Sequence, residues 1–139
     1  MTQKSVGIAD LAVGAGDLTL FTVGLGSCVA IVLHDAECCV GGLAHVLLPH
    51  LALTAGAPKA GKVPSLAVPE MLSRMRALGA SSEIRARLVG GASMFAPLLA
   101  PGSTGLGLRN VQAARAACAA ADVPIVGEVV GGDFGRSVY

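Results

Sequence analysis

The chain has 139 residues, of which 53% are hydrophobic and 14% are charged, and its formal net charge is +1. This length is sufficient for one domain with a sizeable core, so we expect residues 1–139 to form a single domain. The basic residues are scattered, and the chain has no Trp and one Tyr. A nucleic-acid partner is therefore not expected, because neither a basic patch nor an aromatic stacking platform is present.

The sequence carries no sign of a membrane or export segment. Its apolar stretches are interrupted by Gly, Pro or charged residues before they reach the roughly 20 residues of a spanning helix. The N-terminal sequence MTQKSVGIAD lacks the apolar core of a signal peptide, which predicts a cytoplasmic protein. The four cysteines form no CxxC motif and combine with the three histidines in no zinc-ligand spacing, so we expect free thiols and no metal.

The first third of the chain predicts β-structure. Residues 18–22 form a short segment of residues that favour strands, and two apolar runs follow over residues 29–33 and 41–48. The polar sequence HDAE lies between the two runs, and such a short connection predicts an antiparallel hairpin. The continuous apolarity of the runs indicates that at least one of these strands is covered on both faces.

A loop rich in Pro, Gly and Ala is expected over residues 48–65, followed by a helix with Ser65 as its N-cap. The helix places its apolar side chains along one face and ends at Gly79. The members of this apolar face are Ala67, Val68, Met71, Leu72, Met75 and Leu78.

Two strands and a second helix are predicted for the rest of the chain. The sequence EIRARLV alternates apolar with basic residues, which indicates a half-buried strand, and a Gly-Gly pair ends it. Residues 110–121 form an alanine-rich helix that ends before Pro124, and residues 125–130 form the last strand. This order of elements predicts an α/β or α+β domain with a mixed sheet.

Cys28 is a candidate nucleophile because it directly follows a glycine-rich turn in the sequence TVGLGSCVAIVLHD. A reactive thiol needs a base that takes its proton and a group that orients the base. Glycines let the backbone approach a substrate closely and direct N–H groups toward the sulfur or a developing oxyanion. Packing as a small apolar side chain is the alternative for Cys28. Cys38 and Cys39 are expected to be bystanders on the hairpin, and Cys118 is expected to pack in a helix.

His45 is the candidate base. His34 lies at the far end of the first apolar run, roughly 20 Å from Cys28 at about 3.3 Å per residue of strand. His50 lies in a loop beyond a proline. An antiparallel hairpin returns His45 toward Cys28, although a histidine within an apolar run is also a common core residue.

Thr22 is the candidate orienting group, because a hydroxyl group can fix the tautomer of an imidazole. Asp17 and Asp35 are chemical rivals for this role, but Asp35 shares the distant end of the hairpin with His34. Composition and spacing alone leave both the Cys-His site and simple core packing open.

Several motifs together resemble the CheD family of chemoreceptor glutamine deamidases of bacterial chemotaxis. TVGLGSCVAIVLHD followed by GGLAHVLLP is similar to the signature of that family, and later motifs match in order over residues 21–138. These later motifs are GKVPSLAVPEMLSRMRALGA, RLVGGASMF, GLRN and VVGGDFGRSV. The resemblance implies a layered α/β/β sandwich, related to the fold of toxins that deamidate glutamine in GTPases.

The resemblance also implies a cysteine hydrolase with a triad of Cys28, His45 and Thr22 and with no cofactor. The implied substrates are glutamine side chains of methyl-accepting chemoreceptors, and some members also hydrolyse glutamate methyl esters there. A CheC-type phosphatase is an implied partner. The alternative function is a non-catalytic adaptor that docks such a phosphatase or the receptors.

Backbone N–H groups are expected to hold the oxyanion of the reaction. One is the N–H of Cys28, and a second comes from either of two glycine turns. These are the Gly26-Ser27 turn before the nucleophile and the Gly90-Gly91 turn after the predicted strand. A turn with no catalytic role is the alternative explanation for both.

Overall fold

The computed structural model describes residues 2–51, 58–81, 83–93 and 105–139. Neither of the two helices within these ranges is long and apolar enough to cross a membrane. The elements in chain order are β1 (Thr2–Ser5), β2 (Leu11–Ala15), β3 (Leu18–Leu25), β4 (Val29–Asp35), β5 (Val40–Val46), α1 (Pro64–Ala77), β6 (Arg85–Gly90), α2 (Leu106–Ala120), β7 (Ile125–Val130) and β8 (Arg136–Val138).

The strands form two sheets that lie against each other. The larger sheet has the order β2-β5-β4-β6-β7, and the smaller sheet has the order β1-β3-β8. β4 is antiparallel to β5 and to β6, whereas β6 and β7 are parallel, so the larger sheet is mixed as predicted. Both helices pack on one face of the larger sheet, and β3 contacts its other face. The predicted α+β fold with α/β/β layers is confirmed.

The central strand β4 is buried on both faces because it contributes to two apolar layers. Val29, Ile31 and Leu33 pack toward α1 and α2 in the main core. Ala30, together with Cys28 just before the strand, belongs to a second cluster between the two sheets. The prediction that a strand of the hairpin is covered on both faces is therefore confirmed, and it explains the unbroken apolar run.

The predicted hairpin is formed by β4 and β5, and Asp35 closes its turn. The Asp35 carboxylate accepts hydrogen bonds from the N–H of Cys38 at 3.0 Å and from the N–H and hydroxyl of Ser81 at 2.7 and 2.6 Å. These bonds favour the ionised carboxylate, and those from Ser81 contribute most to lowering the pKa of Asp35 to about 2. Asp35 thus has a structural role at the end of the hairpin.

Helix α1 differs from the prediction at both ends. Its N-cap is Val63, and Pro64 occupies the first turn, so the prediction of Ser65 as N-cap is wrong. A proline suits this position because its fixed φ favours the helix and it has no N–H that would need a partner. Leu78 is the C-cap residue and is 46% exposed, because the chain turns away at Gly79 with φ of 98°. The other predicted members of the apolar face are buried.

Helix α2 begins earlier than predicted, and the chain has one more strand after β7 than predicted. α2 begins at Leu106 rather than at residue 110, and its first turn contains Gly107, which hides the helical pattern. Gly107 lies so close to Gly91 and Ala92 that a Cβ atom would collide with their carbonyl groups. β7 is not the last strand, because β8 follows it, and three residues are too few to show a strand pattern.

Candidate active site

Thr22 and His45 meet between the two sheets, where neither residue has exposed surface. Thr22 lies on β3 of the smaller sheet and His45 lies on β5 of the larger one. Thr22 Oγ1 is 2.7 Å from His45 Nδ1 and 2.7 Å from the carbonyl oxygen of Val6. A single hydroxyl group therefore joins the imidazole to the backbone that follows β1.

The two bonds of Thr22 determine which nitrogen of His45 carries the proton. A hydroxyl group has one hydrogen, and the carbonyl of Val6 can only accept it. The hydroxyl oxygen must then accept a hydrogen bond from His45 Nδ1–H. In the neutral imidazole this leaves the lone pair on Nε2, which is buried and has no hydrogen-bond partner among the described residues. Burial also lowers the pKa of His45, which favours this neutral form.

The backbone of His45 is held from two sides. Its N–H donates to the carbonyl of Asp10 at 3.0 Å, and its own carbonyl accepts the N–H of Ala9 at 2.9 Å. On the opposite side, His45 pairs with Ala30 in the β4–β5 ladder. The imidazole is therefore carried by a strand segment with backbone partners on both edges.

Cys28 lies on the same face of the sheet as His45. It precedes β4 by one residue and Ala30 by two, and Ala30 is the cross-strand partner of His45. Diagonal neighbours of this kind lie about 7–8 Å apart, within reach of long side chains. Cys28 is 8% exposed, so the sulfur is close to the surface but mostly covered. Burial raises the pKa of the Cys28 thiol, and its own backbone N–H opposes this by favouring the thiolate.

The turn before Cys28 is held through its carbonyl groups. The carbonyls of residues 26 and 28 accept backbone N–H groups of Ala92 and Gly91, each at 2.8 Å. The carbonyl of the residue between them accepts Asn110 Nδ2 at 2.9 Å. The N–H groups of residues 26–28, by contrast, donate to no other residue within the part of the chain that the structure describes. The turn therefore has N–H groups that no other described residue uses.

Gly90 and Gly91 support this turn from the neighbouring strand. Their φ angles are 112° and 65°, a region that favours glycine. A Cβ atom on Gly90 would collide with the carbonyl of Cys28, and one on Gly91 would collide with Val111. The N–H of Gly91 is already donated to Cys28. The close approach of the Cys28 carbonyl accounts for Gly90, and the close packing of Val111 accounts for Gly91.

The rival candidates lie elsewhere. His34 is at the far end of β4, opposite Gly41 and Arg85, and His50 is exposed. Asp17 is exposed and Asp35 caps the hairpin, and neither forms a hydrogen bond with His45. Among the described residues, no three His, Cys, Asp or Glu side chains are grouped so that they could hold a metal ion.

Two partners in the site were not identified from the sequence. The carbonyl of Val6 has no sequence signature, because every residue carries one. Asn110 could have been found, because it shares the four-residue spacing of Ala114 and Cys118 on the buried face of α2. A polar residue in such an apolar stripe needs buried hydrogen-bond partners.

The comparisons with known proteins agree with the resemblance noted from the motifs. Residues 47–139 match the family described as "CheD chemotactic sensory transduction". The chain is 43% identical over 136 residues to "Probable chemoreceptor glutamine deamidase CheD 2" of Geobacter metallireducens, which covers 96% of this chain and 84% of that protein. It is 37% identical over 137 residues to "Probable chemoreceptor glutamine deamidase CheD" of Clostridium botulinum, which covers 98% of this chain and 85% of the relative.

Proposed function

This chain belongs to the CheD family, and we propose that it deamidates glutamine side chains of chemoreceptors with Cys28 as the nucleophile. The names of its relatives support the reaction and the class of substrate. The observation that carries the mechanism is the bond between Thr22 and His45, which leaves Nε2 of the imidazole free to act as a base. A non-catalytic adaptor would have no use for a buried imidazole nitrogen without a partner, which is costly in an apolar layer.

In the first step, His45 Nε2 takes the thiol proton of Cys28 as Sγ attacks the carbon of the substrate amide. A carbon–sulfur bond forms, and the electron pair of the carbonyl moves to its oxygen. The Nδ1–H of the resulting imidazolium remains donated to the Thr22 hydroxyl, which keeps the ring in place. Because burial raises the pKa of Cys28 and lowers that of His45, the free enzyme holds a neutral thiol and a neutral imidazole.

The N–H groups of Ser27 and Cys28 are the donors that we assign to the oxyanion. Within the described residues they donate to no other residue. Gly26 contributes the carbonyl that is held in place, and its lack of a side chain allows a substrate to approach closely. The N–H of Gly91 is used by Cys28, so the Gly90-Gly91 pair contributes support for the turn.

The reaction is completed by the same base. His45 gives its proton to the leaving nitrogen, ammonia departs, and a glutamyl thioester of Cys28 remains. His45 Nε2 then takes a proton from water, which attacks the thioester, and glutamate and the free thiol are released. A glutamate methyl ester would pass through the same thioester with methanol as the leaving group, so we propose methylesterase activity as well.

Mass spectrometry of a purified receptor fragment tests this function. Incubation with the wild-type protein should convert individual glutamines to glutamates, and Cys28→Ala should leave them unchanged. An unchanged fragment with the wild-type protein would contradict the proposed substrate.

We further propose that the protein acts in the cytoplasm, together with a CheC-type phosphatase. The free thiols of the exposed residues Cys38 and Cys39 suit a reducing compartment. The phosphatase partner follows from the family resemblance, and binding of a purified CheC-type phosphatase to the Cys28→Ala variant tests it without interference from catalysis.

A further inference from the structure

We propose that Asn110 is a positioning residue for the reaction, because its side-chain amide holds the peptide between Ser27 and Cys28 in the orientation that presents the Cys28 N–H to the oxyanion. This inference rests on the proposed role of Cys28 as the nucleophile. Asn110 lies in the second turn of α2, and its side chain is fully buried.

The hydrogen bonds of Asn110 reach both sides of the site. Nδ2 donates to the carbonyl of Ser27 at 2.9 Å and to the carbonyl of Leu47 at 3.2 Å. Both partners are acceptors, so the NH₂ end of the amide must face them and the opposite orientation would be repulsive. Leu47 directly follows β5, the strand that carries His45. One side chain therefore connects the turn of the nucleophile with the strand of the base.

Because the peptide between Ser27 and Cys28 is planar and trans, the contact with Asn110 also fixes the direction of the Cys28 N–H. The C=O of Ser27 and the N–H of Cys28 belong to one planar unit and point in opposite directions. Because Asn110 binds the C=O, the N–H points away from α2. On that side it faces its own sulfur, where burial raises the pKa of the thiol and this N–H opposes the shift. An oxygen on a carbon bonded to Sγ would lie within reach of the same N–H.

The Ser27 carbonyl is the part of the turn that a side-chain substitution can release. The carbonyls of Gly26 and Cys28 are held by the backbone N–H groups of Ala92 and Gly91, which every substitution except proline retains. Removal of the Asn110 donor would leave the Ser27 carbonyl without its partner at a partly buried position. The peptide would then rotate toward another donor, and Gly26 beside it offers little resistance.

Two reactions of Cys28 can distinguish positioning of the oxyanion donor by Asn110 from a purely structural role of this residue. Acylation by p-nitrophenyl acetate forms a carbon–sulfur bond through a tetrahedral oxyanion and releases p-nitrophenolate, while His45 takes the thiol proton. Alkylation by iodoacetamide forms a carbon–sulfur bond by direct displacement of iodide and builds no oxyanion. Only the first reaction uses the Cys28 N–H as an oxyanion donor. Peptide mapping and the Cys28→Ala variant distinguish Cys28 from the exposed thiols of Cys38 and Cys39.

The substitutions Asn110→Asp and Asn110→Ser should slow the acylation selectively. We expect a loss of at least about tenfold, toward the about 10²–10³-fold that a missing oxyanion donor costs, with the plateau rate of alkylation changed by less than about threefold. Asn110→Asp preserves the size of the side chain, and Asn110→Ser removes the amide without adding charge. Rates are normalised to the folded fraction measured by circular dichroism.

Cys118→Ala is the matched control. Cys118 is fully buried on the same helix and packs in the main core, on the side of the sheet that faces the helices. Its substitution should weaken the packing of α2 and leave the ratio of the two rates at the wild-type value. An unchanged ratio in both Asn110 variants, or a parallel loss of both reactions, would overturn the proposal.

Deamidation of the receptor fragment is measured separately with the same variants. If the wild-type protein leaves the fragment unchanged but the ratio falls in the Asn110 variants, the proposed substrate is wrong and the positioning role stands. If the fragment is deamidated and the ratio is unaffected by either substitution, Asn110 has no positioning role.

Discussion

Thr22 on one sheet and His45 on the other are joined by a hydrogen bond of 2.7 Å in which the imidazole is the donor. The direction of this bond follows from the second bond of Thr22, because its only hydroxyl hydrogen is donated to the carbonyl of Val6. In the site that we propose, a neutral hydroxyl thus occupies the place that a carboxylate takes in many catalytic triads. Among the described residues no carboxylate forms a hydrogen bond with His45, and burial lowers the pKa of this imidazole.

Loss of the Thr22 hydroxyl should reduce activity without abolishing it. Thr22→Ala removes the acceptor that orients His45 but leaves the nucleophile and the base. A hydrogen bond of this kind contributes about 0.5–1.5 kcal/mol, and more where a buried partner loses it, so we expect a loss of about 10- to 100-fold in kcat. Thr22→Ser should recover much of the rate. Near wild-type activity of Thr22→Ala, together with inactivity of Asp17→Asn, would instead indicate a carboxylate as the orienting group.

Cys28 and His45 should behave as one catalytic unit. Cys28→Ala removes the nucleophile. His45→Asn removes the base and retains a side-chain N–H that can donate to Thr22, so the contact between the sheets is preserved. Each variant should lose deamidation while its thermal unfolding stays close to that of the wild type, and the double variant should be no less active than either single one. Multiplicative losses would indicate two independent contributions.

The pH profile of kcat/KM should show a broad plateau. The base must be neutral, and burial lowers the pKa of His45, so protonation should remove activity only below the ordinary imidazole value of about 6.5. Burial raises the pKa of Cys28, so the alkaline limit should lie above the ordinary thiol value of about 8.5. Steady-state rates measured across this whole pH range give the midpoints of the acid and alkaline limbs. An acid limb centred above the ordinary imidazole value would contradict a neutral base whose pKa is lowered by burial.

Asp35 should affect stability and not catalysis. Its pKa is lowered to about 2 in the folded protein, so its ionised form stabilises the fold above the carboxyl pKa of the unfolded chain. This contribution is lost as the pH falls through the folded value. Asp35→Asn should therefore lower the urea midpoint of unfolding at neutral pH. Near pH about 2, the value to which the pKa is lowered, the midpoint of the variant should approach that of the wild type. Its kcat should be unchanged.

The exposed residue Asp17 provides the control for this comparison. Asp17→Asn should leave the urea midpoint at neutral pH close to that of the wild type. A loss of deamidation in folded Asp35→Asn would contradict this prediction. It would show that the end of the hairpin affects the site, although Asp35 lies at the end of β4 farthest from Cys28.

The sequence alone determined the hairpin, the larger part of both helices and the buried faces. These features depend on neighbours within a few residues, so the periodicity of apolar side chains reports them directly. The placement of His45 near Cys28 belongs to this group, because the antiparallel pairing of two adjacent apolar runs follows from a short turn. The unbroken apolarity of β4 similarly indicated a strand covered on both faces before its covering layers were known.

Only the tertiary structure decided which partners complete the site. Asn110 and Ser27 are 83 residues apart along the chain, and the carbonyl of Val6 is one of many that could have met Thr22. The strands β1, β2 and β8 have three to five residues each, too few for a periodic pattern, and they form because a neighbouring strand offers unpaired backbone groups. Backbone hydrogen bonds are chemically the same at almost every residue, so the choice among them is made by the packing of the sheets.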